Sequence, residues 1–508
     1  DPYYHPECLY PQAHSLSDAQ QVNLKVKLKP NTPSDSRTAF SLNKILEYDN
    51  YSLDNYLPDT LKLGQYYFLS PKQDLRHQAI MRGLFLEPGK TYSSRDHLGT
   101  SRYLNNLPII RSTTIKLTAS DSTGTLDAHL FLNKRKKYAY SAEFNTIFRS
   151  TNYFGPGIIF SFTNRNVKGR ADQLKVNLRG RFEMQIDDGE INPAYELGVE
   201  VNYSIPRLRP SILSSLGQRQ LPRTVISTGY NLFNRLDLYL LNSVFFDYGY
   251  RWSKNDIIGH RFDPLGIVFT SIPESSKSDE FRDYLEQNPG VRRSFEEQFV
   301  VGTGYEFTYD PKPKGNGEFF FRGGIDLAGN LLYGAYELFN AEKDSSGNYN
   351  LLGVPFSQYL RTRVDLRYGQ KINSRNSMVT RLIVGIGFPY ANSEILPYIK
   401  QFYAGGTNSL RSFIARSIGP GGEVPPEGFR DLTGDIRLEW NLEYRFTIAG
   451  SLKSALFMDV GNVWLFNEDP ARPLGAFKFD TFLDQLAVSS GWGLRWDFDF
   501  VVARLDFA

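Results

Sequence analysis

Long runs of alternating polar and apolar residues dominate the part of the chain that follows residue 137. In Leu174–Ile186 every second residue is charged or carries a side-chain amide, and the residues between them are apolar or glycine. Ile436–Phe446 and Leu360–Tyr368 repeat the pattern. Successive side chains of a β-strand point to opposite faces of its sheet, so this period of two predicts strands with one apolar and one polar face.

The length of these strands narrows the possible folds. They run over about ten to thirteen residues, whereas strands of soluble proteins average about five or six and strands that cross a bilayer need about 9–11. A soluble antiparallel sheet with one dry face is the alternative, but no helical layer is predicted after residue 137 to cover so much apolar surface. Closing the sheet into a barrel removes its edges, leaves the apolar face to lipid and lines a wet lumen with the polar face.

The strand pattern predicts fifteen barrel strands within residues 137–508. Their starts are expected near Tyr138, Gly157, Gln173, Ala194, Arg223, Leu236, Gly259, Gln298, Gly317, Gln358, Ser377, Arg430, Leu452, Leu486 and Phe500. Single-chain bacterial barrels have an even number of strands, so a sixteenth strand is expected beyond Ala508. A soluble-looking insertion, Glu274–Arg292, is expected to contain a short helix.

The chain before residue 137 has a mixed pattern that predicts a small α+β domain at residues 37–136. Its expected elements, in order, are a strand at Ala39–Tyr48, a helix at Ser70–Met81, a second helix, and strands at Thr114–Thr118 and Leu126–Leu132. Ser93 and Asp96 fit a capping box for the second helix, whose Leu98, Leu104 and Leu107 are expected to face a core. Residues 1–36, with an alternating strand at Val22–Leu28, are assigned to the end of a preceding domain and a linker.

The composition excludes several classes of function. Lys and Arg number 58 against 55 Asp and Glu, a net charge of +3 without like-charged runs, so no nucleic-acid partner is expected. The single cysteine, Cys8, excludes a disulfide scaffold and a cysteine-rich zinc site. No phosphate-binding or nucleophile-elbow motif is present. We therefore expect neither a cofactor, a metal site nor an enzyme active site.

A long segment between the eleventh and twelfth predicted strands, residues 392–429, carries the most specific motif. Gln401–Phe413 reads Q-F-Y-A-G-G-T-N-S-L-R-S-F. It resembles the hallmark loop of the BamA/TamA superfamily of outer-membrane assembly proteins, [V/I/L]-R-G-[F/Y]. The matching residues are Leu410, Arg411, Ser412 and Phe413, and Ser412 stands where the family usually has glycine.

Other segments resemble the same family in the expected order. Asn441–Phe446 is similar to its twelfth strand, with an inward Glu, and Leu456–Trp464 is similar to the F-x-D-x-G-x-V-W of its thirteenth. Gly89–Tyr92 and the helix after it resemble a polypeptide-transport-associated (POTRA) repeat. The segment G-G-T-N-S-L-R resembles the translocation and assembly module branch of the family more closely than it resembles the central insertase.

The resemblance implies a fold, a place and a function. The fold is a transmembrane antiparallel barrel of 16 strands after a POTRA domain, in the bacterial outer membrane with the POTRA domain in the periplasm. The function is non-enzymatic insertion or export of outer-membrane proteins, with lipid transport left open. The implied partners are the lipid bilayer, substrate outer-membrane proteins and a periplasm-spanning protein of the TamB type.

Two carboxylates are predicted to meet the loop arginine. Glu443 belongs to the polar set of its strand, and Asp459 is predicted to face the lumen as well. We expect the loop to fold into the lumen and Arg411 to pair with Glu443, Asp459 or both, because a guanidinium fork binds carboxylates directionally. The alternative is an exposed arginine with weak ion pairs. Phe413 is expected to pack on the lumen wall, or else to be a loop aromatic of structural value only.

The resemblance also implies a lateral seam between the first strand and the missing last strand. An exposed strand edge is a template on which another strand can pair. The residues assigned to the seam strand are Tyr138, Tyr140, Ala142, Phe144, Thr146 and Phe148. Three alternatives stay open: a passive pore or receptor barrel, a two-partner secretion transporter, and an outer-membrane lipase, for which the barrel offers only His260 as a catalytic histidine.

Overall fold

In the structure, a computed structural model, the chain forms two compact units. The residues that the structure describes are 39–49, 60–69, 74–120, 124–148, 153–187, 190–210, 220–236, 238–287, 292, 295–313, 315–345, 347–423, 432–498 and 501–508. One unit holds the described residues up to Asn106 together with Ile110–Arg135, and the other holds Leu107–Ile109 and Lys136–Ala508. The predicted strand Val22–Leu28 and the linker that follows it lie outside the described residues.

The described residues of the first unit form a five-stranded sheet with two helices. Its elements are β1 (Ser41–Asp49), β2 (Thr60–Leu63), β3 (Tyr66–Leu69), α1 (His77–Met81), α2 (Ser94–Asn105), β4 (Ile110–Ala119) and β5 (Thr125–Lys134). The strand order is β2-β3-β1-β5-β4, with the central β1 parallel to both neighbours. The β2–β3 hairpin was not predicted, because strands of four residues are too short to show an alternating pattern.

Helix α2 begins where the capping motif predicted. The side chain of Ser93 accepts a hydrogen bond from the backbone N–H of Asp96 at 3.4 Å. Leu104 and Leu107 are buried as expected, but the expectation for Leu98 is wrong, since that side chain is 60% exposed. The buried stripe of the helix runs through Thr100, Tyr103 and Leu104, and Leu98 lies off it. The first predicted helix is shorter than expected: its described part begins at His77.

The described residues of the second unit form one antiparallel sheet of 15 strands, each paired with its neighbours in chain order. The strands are β6 (Tyr138–Phe148), β7 (Tyr153–Val167), β8 (Asp172–Asp187), β9 (Glu190–Ile205), β10 (Arg223–Arg235), β11 (Tyr239–Ser253), β12 (Ile258–Ser271), β13 (Gln298–Tyr309), β14 (Gly317–Ala328), β17 (Tyr359–Lys371), β18 (Asn376–Pro389), β19 (Ile436–Ala449), β20 (Leu452–Trp464), β21 (Ala487–Asp497) and β22 (Val502–Phe507). The connections contain helices α3 (Asp279–Gln287) and α4 (Asn330–Leu338) and the short hairpin β15 (Asn350–Leu351) and β16 (Val354–Pro355).

Large apolar side chains are exposed on one face of this sheet, strand after strand. Examples from nine strands are Phe160, Leu178, Leu197, Tyr230, Val244, Ile325, Ile386, Leu456 and Val488. The opposite face is charged, and it curves around a cavity of about 300 Å³. Charged residues from β11 to β14 and β17 line that cavity: Asp247, Arg261, Asp263, Glu306, Asp326, Arg361 and Arg363. The predicted barrel, oily outside and charged inside, is therefore confirmed, together with the small α+β region before it.

Most predicted strand starts agree with the structure. The twelfth strand begins at Ile436 rather than near Arg430, and residues 424–431 lie outside the described part. Helix α3 falls within the predicted insertion, whereas α4 and the β15–β16 hairpin were not predicted. The sixteenth strand expected from the strand count is not among the described residues and stays a prediction. Among the described residues, no helix has both the length and the apolar content needed to span a bilayer.

The four longest described connections lie at one end of the barrel. They follow β12, β14, β18 and β20, which all run away from the end at which the chain enters β6. Outer-membrane barrels have long extracellular loops and short periplasmic turns. Long connections at one end of the barrel and short turns at the other fit that arrangement.

Candidate functional site

The connection between β18 and β19 folds back onto the polar face of the barrel wall. The backbones of Phe402 and Gly434 exchange hydrogen bonds of 2.8 Å in both directions, which closes the base of the loop. Further along, Phe402, Ala404, Leu410 and Ile418 form a buried apolar cluster with Val463 of β20. The loop thus has its own small core, seated against the wall.

Two glycines make the tip of this loop tight. Gly405 and Gly406 have φ angles of +93° and +99°, in the region that glycine adopts without strain. A Cβ on Gly405 would lie 2.3 Å from the backbone oxygen of Ile414, so even alanine has no space there. The N–H of Gly406 donates to the oxygen of Phe413 at 2.8 Å. These contacts fix the backbone on both sides of Arg411.

Arg411 is held by two carboxylates of the barrel wall. Its Nε and Nη2 donate to the two oxygens of Asp459 at 2.7 and 2.8 Å, and its Nη1 donates to Glu443 at 2.7 Å. The backbone N–H of Arg411 also donates to Asp459, at 3.2 Å. The exposed fractions of the three side chains are 7% for Arg411, 0% for Asp459 and 10% for Glu443. Such a buried fork geometry is strong and directional.

Further contacts of this ion cluster come from neighbouring strands. The guanidinium of Arg411 lies 3.5 Å from the ring centroid of Phe457, which covers one face of the cation. The side-chain amide of Asn441 donates a hydrogen bond to Asp459 at 3.0 Å. The guanidinium of Arg445 donates to Glu443 at 2.6 Å, and the guanidinium of Arg495 forms an ion pair with Glu443 at 2.9 Å. Every charge in the cluster therefore has an opposite charge or a hydrogen-bond donor nearby, which buried charges require.

Ser412 and Phe413 make contacts of different kinds. Ser412 donates its backbone N–H to the hydroxyl of Ser489 in β21 at 3.2 Å, and the two hydroxyls lie 2.7 Å apart. The φ angle of Ser412 is not positive. The turn therefore does not require the glycine that is usual at this position in the family that the loop resembles. Phe413 is partly buried and packs on the apolar cluster of the loop. Leu410, at 0% exposure, is part of that cluster.

Two further anchors of the loop were missed by the sequence analysis. The hydroxyl of Ser409 donates to Glu439 at 2.6 Å. Asp435, just before β19, accepts the backbone N–H groups of Leu396 and Phe466, both at 3.2 Å. Burial raises the pKa of the Asp435 carboxyl, and these hydrogen bonds oppose that rise. Glu439 lies four residues before Glu443 on the same polar face, which was a signal the sequence did offer.

The residues assigned to the seam lie in β6, at one edge of the described sheet. Within the described residues β6 pairs with β7 alone. Tyr140 and Phe144 are each 78% exposed, Tyr138 is 49% exposed, and Ala142 and Thr146 are also exposed. The backbone of Phe148 pairs with Phe154, and its side chain lies outside the described part.

Comparison with known proteins supports the predicted superfamily. Residues 329–508 match the Omp85 superfamily domain. That region contains the loop, Arg411 and both of its carboxylate partners. The finer assignment to the translocation and assembly module branch has no support from this match.

One solved structure, that of BamA, supports the fold. BamA from Haemophilus ducreyi, in a crystal structure lacking POTRA domains 1–3, has a TM-score of 0.58 at 12% identity, over 92% of this chain and 80% of that one. CdiB from Acinetobacter baumannii gives a TM-score of 0.49 at 13% identity, over 90% of this chain and 68% of that one. CdiB from Escherichia coli gives 0.43 at 10% identity, over 94% and 86%. At these identities the BamA match establishes the fold alone.

Proposed function

Because residues 329–508 match the Omp85 superfamily domain, we propose that this protein inserts or exports outer-membrane proteins through a lateral seam of its barrel. The seam lies between β6 and a last strand that follows β22. The process needs no bond to be made or broken in a substrate. Its driving force is the pairing of backbone groups and the burial of apolar strand faces in lipid.

The observation that carries this proposal is the pinned loop. Through Arg411, Ser409 and Ser412 the loop is tied to β19, β20 and β21, three consecutive strands near the end of the sheet. A wall braced in this way keeps its curvature while the opposite side of the seam moves. A passive pore has no need to brace one group of strands selectively.

The exposure of β6, the strand on the other side of the proposed seam, also supports the proposal. In β6, Ser141 and Glu143 on the polar face are exposed, as are Tyr140 and Phe144 on the apolar face, and within the described residues only the edge of β6 toward β7 is paired. A strand with two accessible faces and one paired edge can accept an incoming strand by β-augmentation. A substrate strand that pairs there would already have its apolar face toward lipid.

We assign the N-terminal unit to the periplasm as a POTRA domain. Its sheet has two edge strands within the described residues, β2 and β4. The ten residues of β4 offer a second place for strand addition by a substrate or by a partner. We propose a TamB-like periplasm-spanning protein as that partner, and co-purification from outer membranes is the measurement that tests it.

Photo-crosslinking from the seam tests the proposal. A p-benzoylphenylalanine is placed at Tyr140 or Phe144, and as a matched control at Leu197, which is exposed on the outer face of β9 in mid-wall. We expect adducts with newly made outer-membrane barrel proteins, identified by mass spectrometry, from the two β6 sites and not from Leu197. Equal yields of cross-linked adducts at all three sites, or the absence of substrate adducts, would contradict the proposed seam.

A second readout separates the kinds of transport. Cells that depend on this protein are followed for folded outer-membrane barrels, for secreted proteins and for labelled phospholipid in the outer leaflet. Loss of folded barrels after the Arg411→Ala change supports insertion, and loss of one secreted protein alone supports dedicated export. Unchanged levels of all three, with persistent ion conductance in planar bilayers, would favour a passive pore.

A further inference from the structure

Helix α4 packs against the outside of the barrel, although it belongs to one of the four long connections at the end of the barrel. Its Leu332, Tyr333 and Tyr336 contact a buried cluster that contains Phe299 of β13 and Phe356. Ile267 and Phe269 of β12 and Val301 of β13 also pack on this cluster. These side chains are the support on which the helix lies.

The supporting side chains belong to the outward face of the wall. In β12 and β13, Val268 and Val300 are paired across the strands and pack with Tyr359 and Leu396 on the lumen side. Ile267, Phe269, Phe299 and Val301 have the opposite parity, so they point away from the lumen. Since this outward face is the lipid-facing face of the barrel, α4 lies at the outer wall.

The side of α4 that faces away from the wall is strongly apolar. Leu331 is 85% exposed, Leu338 is 76% exposed and the next residue, Phe339, is 79% exposed. Leu331 and Leu338 are seven residues apart, two turns of helix on one face. On the strand just before the helix, Ile325 and Leu327 are exposed at 47% and 42%. The apolar band of β14 therefore continues onto the helix.

The β15–β16 hairpin gives independent evidence for the same environment. Its two-residue turn, Leu352–Gly353, has φ angles of +55° and +84°, a conformation for which Asn or Gly is the usual choice at the first position. A leucine there is strained, and this one is 87% exposed. Val354 of the hairpin and Tyr349, just before it, are members of the buried cluster that carries α4, and Leu351 packs against that cluster.

We propose that α4 and the β15–β16 turn form an interfacial lipid anchor that lies in the outer edge of the bilayer. Tyr333, Tyr336 and Tyr349 are residues that favour the boundary between lipid and water. Lys343 lies 4.8 Å from the ring centroid of Tyr349 and 3.6 Å from Glu337, so its charge is held beside the aromatic cluster. An anchor here fixes the depth of the barrel on the side of β12 to β14.

Lipid-quenching of a site-specific fluorophore tests the anchor. The full chain with Cys8→Ser is given a single cysteine by Leu331→Cys or Leu338→Cys, labelled with NBD and reconstituted in phosphatidylcholine–phosphatidylglycerol vesicles. Leu327→Cys on the outward face of β14 is the lipid-facing control. Leu98→Cys, an exposed leucine on α2 of the N-terminal unit, is the water-facing control. Heat-modifiable migration in gels verifies that each variant is folded.

We expect nitroxide-labelled lipid to remove as much fluorescence at Leu331→Cys and Leu338→Cys as at Leu327→Cys. Quenching no greater than at Leu98→Cys would overturn the anchor. Protection of the two α4 labels from quenching in native outer membranes, where another protein is present to cover them, would also contradict it. The result does not depend on the seam, so the anchor and the proposed function fail separately.

Discussion

The two units of this protein use the same strand geometry for opposite solvents. In the N-terminal unit the apolar residues Ile45, Leu104 and Leu130 are almost fully buried, as in any water-soluble domain. In the barrel the apolar side chains are exposed, while Glu439 and Asp459 are fully buried. The exposure of an apolar side chain therefore has a different meaning in each unit. Leu98 is exposed on the unit with a buried apolar core, whereas Leu197 is exposed on the lipid-facing side of the barrel.

Both units also bury a cation between two carboxylates. Lys134, 3% exposed, binds Asp49 and Asp74, and Arg411, 7% exposed, binds Asp459 and Glu443. Lys134 joins elements of a single folding unit that an apolar core already holds together. Arg411 joins a loop to the barrel wall, where the apolar cluster with Val463 and the hydrogen bonds of Ser409 and Ser412 also hold that loop. The same chemistry therefore stabilises a fold in one place and a loop position in the other.

The largest effect is expected from Arg411→Ala. Removing one partner of a buried ion pair leaves uncompensated charge and costs about 3–5 kcal/mol. We expect the loop to detach and the barrel to unfold at lower urea concentration in vesicles, as followed by heat-modifiable gel migration.

The matched control for this change is Arg445→Ala. Arg445 also binds Glu443 but is 48% exposed, so its loss is expected to cost about 0–1 kcal/mol. Equal losses of stability in the two variants would mean that the buried contacts of Arg411 stabilise the barrel no more than those of an exposed arginine.

Arginine substitution of the two exposed leucines is expected to give the next largest difference. Leu197→Arg places a charge in the middle of β9 on the lipid face, which costs about 2–4 kcal/mol near the bilayer midplane. Leu98→Arg on the N-terminal unit stays in water and is expected to change stability by less than about 0.5 kcal/mol. Urea titrations in vesicles measure both, and a neutral Leu197→Arg variant would show that this face does not meet lipid.

The pH dependence of the N-terminal unit follows from Glu47. Burial, with the nearby charge of Asp49, raises the pKa of this carboxyl to about 8, and Lys134 opposes the rise. The folded unit therefore holds a proton that the unfolded chain releases above pH 4.5. Its free energy of unfolding is expected to fall as pH rises toward 8, by at most about 1.4 kcal/mol per pH unit.

Pulse proteolysis in urea at several pH values measures this slope in the full chain. Glu47→Gln is expected to flatten it, while Glu87→Gln, at a more exposed carboxyl, is expected to leave it unchanged. A slope that survives Glu47→Gln would assign the effect to another group.

The smallest effect is expected from Ser412→Gly, which restores the residue usual in the resembling family. It removes the hydroxyl contact with Ser489 while the backbone N–H keeps its own, so the loss is about 0.5–1 kcal/mol. Ser489→Ala removes both contacts and is expected to cost more in the same urea titration. A larger loss from Ser412→Gly than from Ser489→Ala would mean that the backbone of the turn, rather than the hydroxyl pair, determines the effect.

The alternating pattern was sufficient to predict the barrel, because a period of two and a length near that of a bilayer leave few other folds. It did not predict α4, the β2–β3 hairpin or the exposure of Leu98, since these depend on what each short element packs against. For the loop, parity placed Glu443 and Asp459 on the lumen face, and the resemblance supplied Arg411 as their partner. The Ser412–Ser489 and Ser409–Glu439 contacts depend on the course of the loop, which the sequence pattern does not encode.

The most direct test of the pinned loop is a disulfide between the loop and the wall. In a Cys8→Ser background, the double change Ser412→Cys and Ser489→Cys is oxidised in native outer membranes, and the cross-link is read from the migration of the unfolded chain. We predict efficient cross-linking that falls sharply when Arg411→Ala is added. Absence of the cross-link, or a yield that Arg411→Ala leaves unchanged, would contradict the account.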